Sequence, residues 1–352
     1  MQQDKIKIDL SGLSETLLFP LWGRAKLSKE CSWLFNDVRA TEIVEKIDYD
    51  FSKFDKILWG CRFDRTALKN SLPPLFALRA KQFDHKIQSY VAEHPRSSVV
   101  NIGAGLDTTF YRVDNGLIHW YDLDLPPVIE IRSQLLPEAN TTKGIAKSLL
   151  DPSWCTCIKQ TEDGVFMIMG GVLMYFEEAQ VKQFFSMLAD NFPSGEIVFD
   201  APSKLDNNFG TWVKQLSLDQ RKELKAARVK ALKGWWQNNP ENQKDKLLAA
   251  LKTPTKPRSA EWPDLLAWWC QLDGKEKKAA RNDFKAFFHL GLRKWALDDA
   301  TKITQWDKRI TVIDQFPLYR NIPRDPSWST LIRRFMDYSD RYKMSNIFHL
   351  RV

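Results

Sequence analysis

Short apolar runs at Ser98 to Ile102, Leu117 to Tyr121, Val165 to Met169 and Glu196 to Asp200 alternate with stretches of helical period, Pro127 to Leu136 and Glu177 to Asn191. That alternation predicts a parallel sheet wound with helices. Upstream, residues 11 to 95 read as helices. Ser14 is placed to cap a helix bearing Leu17, Leu18, Leu21 and Trp22, and Thr41 another bearing Ile43, Val44 and Ile47. Leu75 to Val91 keeps the 3.6-residue period until Glu93-His94-Pro95 stops it. Beyond Asp200 the chain turns mostly helical, with breaks at Asn238-Asn239-Pro240 and Thr253 to Pro257, and Arg309 to Phe316 and Ser345 to Val352 read as two closing strands. The predicted organisation is an N-terminal helical cap (1–95), a ligand-binding core (96–205), a helical insertion (206–300) and closing strands of the core (301–352). Ligands of open α/β sheets bind at the carboxyl ends of the strands, so inserted helices are expected to roof a pocket there.

The first core strand runs into Gly103-Ala104-Gly105, and the second into Asp122-Leu123-Asp124 about one βαβ unit later. Glycine at the first turn lets backbone approach a ligand, and a carboxylate at the tip of the next strand accepts hydrogen bonds from both ribose hydroxyls. The third glycine of a dinucleotide fingerprint is missing, and Phe110-Tyr111 stands where a pyrophosphate would need open helix amides. A ligand with a ribose and no phosphate fits better, and S-adenosylmethionine is the common one. Each half of the pattern also has an ordinary reading, as turn chemistry or as a strand cap.

Composition narrows the class. A chain of 352 residues with 43% hydrophobic and 27% charged residues suits one large α/β domain or two smaller ones. No apolar run approaches a membrane span, and Met1 to Asp9 alternates charge with Ile, so a cytoplasmic protein is expected. Five cysteines make no disulfide framework at this length, Cys155-Thr156-Cys157 has no second pair, and five scattered histidines form no cluster, so no metal site is expected. The net charge of +8 is concentrated in residues 214 to 295, with 19 Lys and Arg against 9 Asp and Glu. The same segment holds Trp235, Trp236, Trp262, Trp268, Trp269 and Trp295. It reads as a helical lid with lysines in solvent and tryptophans inside, the competing reading being a surface for an acidic partner or nucleic acid.

Residues 101 to 126 resemble the leucine carboxyl methyltransferase superfamily of S-adenosylmethionine-dependent enzymes, and within it the bacterial branch of tetracenomycin-type polyketide O-methyltransferases. Further matches are Gly12 to Leu18, Ile47 to Phe51, Ser148 to Trp154, Gly171 to Phe176, Val198 to Asp200 and Lys294 to Asp299, together spanning roughly 11 to 205 and 287 to 320. The resemblance implies an α/β, Rossmann-like methyltransferase: a mostly parallel seven-stranded sheet, N-terminal helices and a helical insertion forming a lid. By the same resemblance, Gly103 and Gly105 lie beside the methionine and ribose of the cofactor, Asp124 with Asp122 binds the ribose hydroxyls, and Leu150 and Asp151 contact adenine. Arg79 matches an arginine that holds the cofactor carboxylate, and Arg24 a basic residue doing the same; an arginine fork suits that group. Two departures stand out. Where protein-directed members carry a glutamate before the Val-Leu-x-Tyr run, this chain has Gly170-Gly171, and the basic segment at about 211 to 286 is longer than the relatives' connection.

The resemblance implies an O-methyltransferase acting on a carboxylate or phenol of a small, polyketide-type molecule. Methyl transfer from a sulfonium is an in-line displacement whose rate comes mostly from positioning. A carboxylate acceptor is already ionised at neutral pH and needs no general base, whereas a phenol needs one. Tyr175 is the candidate for orienting the acceptor, with a half-buried structural tyrosine as the other reading. The competing functions are a protein C-terminal carboxyl methyltransferase and a non-catalytic module that binds through the basic, Trp-rich insertion.

Overall fold

The computed structural model describes residues 5–6, 17–52, 54, 77–159, 163–203, 248–249, 251–252, 255–257, 259, 262–287, 294–326, 328 and 330–352. Two compact units divide the chain: one of residues 1–51, 70–212 and 295–352, the other of 52–69 and 213–294. No helix among the described residues is long and apolar enough to cross a membrane.

The first unit is built on a seven-stranded sheet. Its strands are β1 (Ser98–Ile102), β2 (His119–Asp124), β3 (Thr142–Ala146), β4 (Val165–Met169), β5 (Glu196–Pro202), β6 (Thr311–Pro317) and β7 (Ser345–Arg351), in the order β3-β2-β1-β4-β5-β7-β6. β1 to β5 pair in parallel, and β7 lies antiparallel between β5 and β6. This is the mostly parallel, Rossmann-like α/β sheet that the alternating pattern and the resemblance imply. Consecutive residues of β1 and β4 are buried without exception because both faces are covered, as parallel sheets require.

One face packs Val100, Leu123, Met167 and Phe199 against Phe184, Phe185 and Leu188 of a helix at Glu178–Asn191. The other packs Val99, Trp120, Phe166 and Val198 against Phe83, Ile87 and Tyr90 of a helix at Leu78–Glu93. That last helix, with α1 (Leu18–Glu30) and α2 (Val38–Lys46), forms the described part of the N-terminal cap, and we term it α3. His94 caps its C-terminus, just before the Pro95 stop seen in the sequence. Ser14 lies outside the described residues.

Two local features differ from the sequence expectation. α2 is capped by Asp37, whose carboxylate accepts from Ala40 N–H at 2.9 Å, while Thr41 lies inside the helix with its hydroxyl bonded back to the Asp37 carbonyl. β3, Thr-Lys-Gly-Ile-Ala, has no apolar run to announce it. It is an edge strand with Ile145 as its one buried residue, so it needs little hydrophobic patterning.

The second unit contains helices at Trp262–Gln271 and Gly274–Phe287. Its Leu265, Trp268, Leu272 and Ala280 are buried, and the Trp268 indole N–H donates to the Thr255 carbonyl at 2.9 Å. Lys275 and Lys278 are exposed. Trp235, Trp236 and the Trp262 side chain lie outside the described residues, and Trp295 belongs to the core of the sheet unit.

Candidate functional site

The sheet unit gathers several candidate residues at the carboxyl ends of its central strands. After β1 the chain turns through Gly103 and Gly105, with φ of +69° and +50°, a region that disfavours residues bearing a Cβ. The N–H groups of Gly103 and Ala104 both donate to the Leu123 carbonyl, at 2.8 and 3.1 Å. Gly105 N–H donates to Asp124 Oδ2 at 2.8 Å, and Leu125 N–H to its Oδ1 at 2.7 Å. The glycine turn and the strand-tip carboxylate are therefore one hydrogen-bonded unit. Each Asp124 oxygen keeps a second lone pair for a ligand hydroxyl. Burial pushes the Asp124 carboxyl above its usual range, and the two amides oppose that shift.

A side chain at Gly103 would overlap Val172 Cγ2, and one at Gly105 would press on Leu17. The glycine at 103 is thus explained first by packing of the chain on itself, one residue past the Gly170-Gly171 turn. Gly171 has φ +72°, and these two glycines carry the chain off β4 before a short 3₁₀ turn at Leu173–Tyr175. Tyr175 ends this turn rather than a strand, and the residue is 46% exposed. Trp295 N–H reaches the Met174 carbonyl beside it at 3.4 Å.

Arg79, near the start of α3, sits over the same glycines: its Nη1 donates to Asp200 Oδ2 at 3.0 Å, while Gly171 N–H donates to Asp200 Oδ1 at 2.6 Å. On the far side of Asp124, Lys147 N–H donates to the Asp124 carbonyl at 2.9 Å and leads into Leu150 and Asp151. Leu150 is half-buried against the core, and Asp151 is exposed, capping a 3₁₀ turn at Pro152–Cys157. Hydrogen bonds from the Ser153 hydroxyl and amide hold the Asp151 carboxyl below its ordinary value.

Arg24 and Asp122 are committed elsewhere. Arg24 Nε donates to Asp37 at 3.0 Å and its Nη2 to the Leu106 carbonyl at 2.7 Å, so it braces the glycine turn from behind. Asp122 is buried and accepts from Arg132 Nη2 at 2.7 Å and from Asn101 and the Trp120 indole at 3.0 Å each.

The sequence reading passed over a buried ionic cluster behind the turn. Asp37, fully buried, accepts on Oδ2 from Arg24, from Thr108 Oγ1 at 2.6 Å and from Arg112 Nη1 at 2.6 Å. Arg112 also forks onto Asp84 of α3 through Nε and Nη2, at 2.6 and 2.9 Å. Burial disfavours the Arg112 charge, but Asp84, Asp37 and Asp107 more than compensate and hold it protonated above its ordinary value. The cluster locks α1, α2 and α3 to the segment following the glycine turn. Its bonded partners lie up to 75 residues apart, so no local pattern announces it. Asp200 was likewise absent from the candidates, although its segment was matched.

The residues present fit a nucleoside with an amino-acid tail: a close-approach turn, an anchored carboxylate for hydroxyls, and an arginine for a carboxylate. Comparison with known proteins points the same way. The family model described as leucine carboxyl methyltransferase matches residues 19–189. The tetracenomycin polyketide synthesis O-methyltransferase TcmP of Streptomyces glaucescens is 30% identical over 195 residues, covering 55% of this chain and 67% of the relative. An S-adenosyl-L-methionine-dependent methyltransferase, dpfgK, of Gibberella zeae is 26% identical over 219 residues, covering 57% and 70%. Among solved structures, PKMT2 of Rickettsia typhi in complex with AdoHcy aligns with a TM-score of 0.37 at 14% identity, over 72% of this chain and 48% of that one.

Proposed function

The chain belongs to the leucine carboxyl methyltransferase family, and from that premise we propose that this S-adenosylmethionine-dependent methyltransferase methylates an oxygen, a carboxylate or phenol, of a small polyketide-type molecule. The observation that carries the cofactor half is the bond from Gly105 N–H to Asp124, which joins a turn open to close approach with a carboxylate suited to ribose hydroxyls. In this reading Asp124 holds the ribose, Arg79 the cofactor carboxylate, and Leu150 and Asp151 the adenine. When bound, the cofactor supplies a methyl group activated by its sulfonium.

A carboxylate acceptor, which needs no general base, agrees with where two of the described histidines sit. His119 opens β2 at the opposite end of the sheet, and His349 is bonded to Glu196, the first residue of β5, at 2.8 Å. An acceptor already ionised at neutral pH asks the protein only to position it and exclude water. Tyr175, exposed on its turn, is proposed to orient that acceptor through its hydroxyl. The name of the Streptomyces relative supports a small-molecule acceptor. The Gly170-Gly171 departure from the protein-directed pattern that the resemblance implies supports it as well.

The test is calorimetry with S-adenosylmethionine and S-adenosylhomocysteine, followed by a methyl-transfer screen of small carboxylic acids, phenols and peptides with a free C-terminus. Asp124→Ala is expected to weaken cofactor binding by about tenfold or more, the scale of a lost hydrogen bond to a charged group. Unchanged affinity in the folded variant would remove Asp124 from the site. Transfer to the peptides alone would replace the small-molecule reading with the protein-directed one.

A further inference from the structure

Asp200 stands at a point of the fold where its charge calls for an explanation. It is 9% exposed, at the carboxyl end of β5, and both its oxygens are already oriented: Oδ1 by Gly171 N–H and Oδ2 by Arg79 Nη1. The next residue after Gly171, Val172, packs directly on the Gly103 turn. Asp200 and Arg79 are therefore joined to the glycine turn through Gly171 and Val172. Added side chains at Gly170 or Gly171 would bring a Cβ within 3.2 Å of Arg79 Nε or 2.7 Å of Arg79 Nη1. The end of β4 thus contributes no side chain, and the carboxylate at this place comes from the neighbouring strand.

Resting on the cofactor reading above, we propose that Asp200 is a cofactor-binding residue that receives the α-ammonium of the methionyl group, while Arg79 receives its α-carboxylate. An α-amino acid carries a cation and an anion on one carbon. A guanidinium and a carboxylate 3.0 Å apart present the complementary pair, so each charge of the ligand meets its opposite. Arg79 has five N–H donors and Nη1 serves Asp200, so its fork keeps donors for a second carboxylate. Each Asp200 oxygen accepts one described hydrogen bond and has a second lone pair for an ammonium proton.

The experiment is calorimetric titration of the unaltered protein, Asp200→Asn and Arg79→Lys with three ligands. These are S-adenosylhomocysteine, its deamino analogue that keeps the carboxylate, and 5′-deoxy-5′-methylthioadenosine, which lacks the amino acid altogether. Asp200→Asn is expected to lose about tenfold or more for S-adenosylhomocysteine and to keep its affinity for the other two. Arg79→Lys is expected to weaken both carboxylate-bearing ligands and spare the third. Equal loss of S-adenosylhomocysteine and the deamino analogue in Asp200→Asn would reduce Asp200 to a prop for Arg79 and overturn the assignment. So would equal affinity of the unaltered protein for those two ligands, a measurement that needs no variant. Failure of the unaltered protein to bind either S-adenosylhomocysteine or methylthioadenosine would instead strike the cofactor reading on which the assignment rests.

Discussion

Arg112→Met is expected to lower stability by about 3–5 kcal/mol, the range for stripping one partner from a buried ionic cluster. For a domain of this size that is a fall in Tm on the order of 10 °C. Arg112 is 11% exposed and donates to both Asp37 and Asp84, the first of them fully buried. Without it, Arg24 is the one cation left among the described partners of Asp37, and Asp84 loses both of its described hydrogen bonds. The sign of the pH dependence follows. Burial already raises the Asp84 carboxyl above its usual range against the pull of Arg112, and removing the guanidinium raises it further. A carboxyl whose folded pKa lies above its unfolded value destabilises the fold when ionised, and that penalty fades as pH falls through the folded value. The variant should therefore lose more stability at pH 8 than at pH 5. Thermal melts at the two values check this, and a deficit below about 1 kcal/mol at pH 8 would mean that water screens the cluster.

The same cluster marks the limit of what the sequence makes legible. Apolar runs gave β1 and β4 to the residue, since a strand buried on both faces needs nothing but hydrophobic side chains. Glycines 103 and 105 with Asp124 were visible because the turn and the strand tip are local features, 19 residues apart at the bond that joins them. Asp37, Asp84 and Arg112 were not, because their pairing exists only once α1 to α3 have docked on the sheet. Asp122 shows a second limit. Its spacing matches a ribose carboxylate, but Arg132, on the helix after β2, takes up its charge, and no local pattern distinguishes it from Asp124 two residues on. Arg79 and Asp200 are 121 residues apart, and their approach depends on two glycines whose importance lies in the space they leave.

Excising the insertion is expected to have the most complete effect on activity. β5 ends at Pro202, and Leu297 N–H donates to the Pro202 carbonyl at 2.9 Å, so the two ends of the segment between them meet on the sheet unit, while residues 52–69, the rest of the second unit, stay in the variant. All seven strands of the sheet lie in the sheet unit, and the helices at Trp262–Gln271 and Gly274–Phe287, with the buried Leu265 and Trp268, lie in the other. A deletion of residues 206–293 bridged by a short Gly-Ser linker should leave the sheet folded. The sequence reads this Trp-rich segment as a lid over the acceptor, and the deletion tests that expectation. Burying tryptophan at roughly 25 cal/mol per Å² of apolar surface favours a core or a ligand-facing wall over open solvent, while lysine stems cover apolar area with their charges wet. The deletion should then retain S-adenosylhomocysteine binding within a few-fold and lose methyl transfer to below detection. Titration with oligonucleotides over a salt series separates the remaining reading, in which affinity falls steeply as salt rises. Transfer that survives the deletion would place acceptor recognition in the sheet unit. Salt-sensitive oligonucleotide binding by the intact protein, abolished by the deletion, would make the segment a nucleic-acid surface.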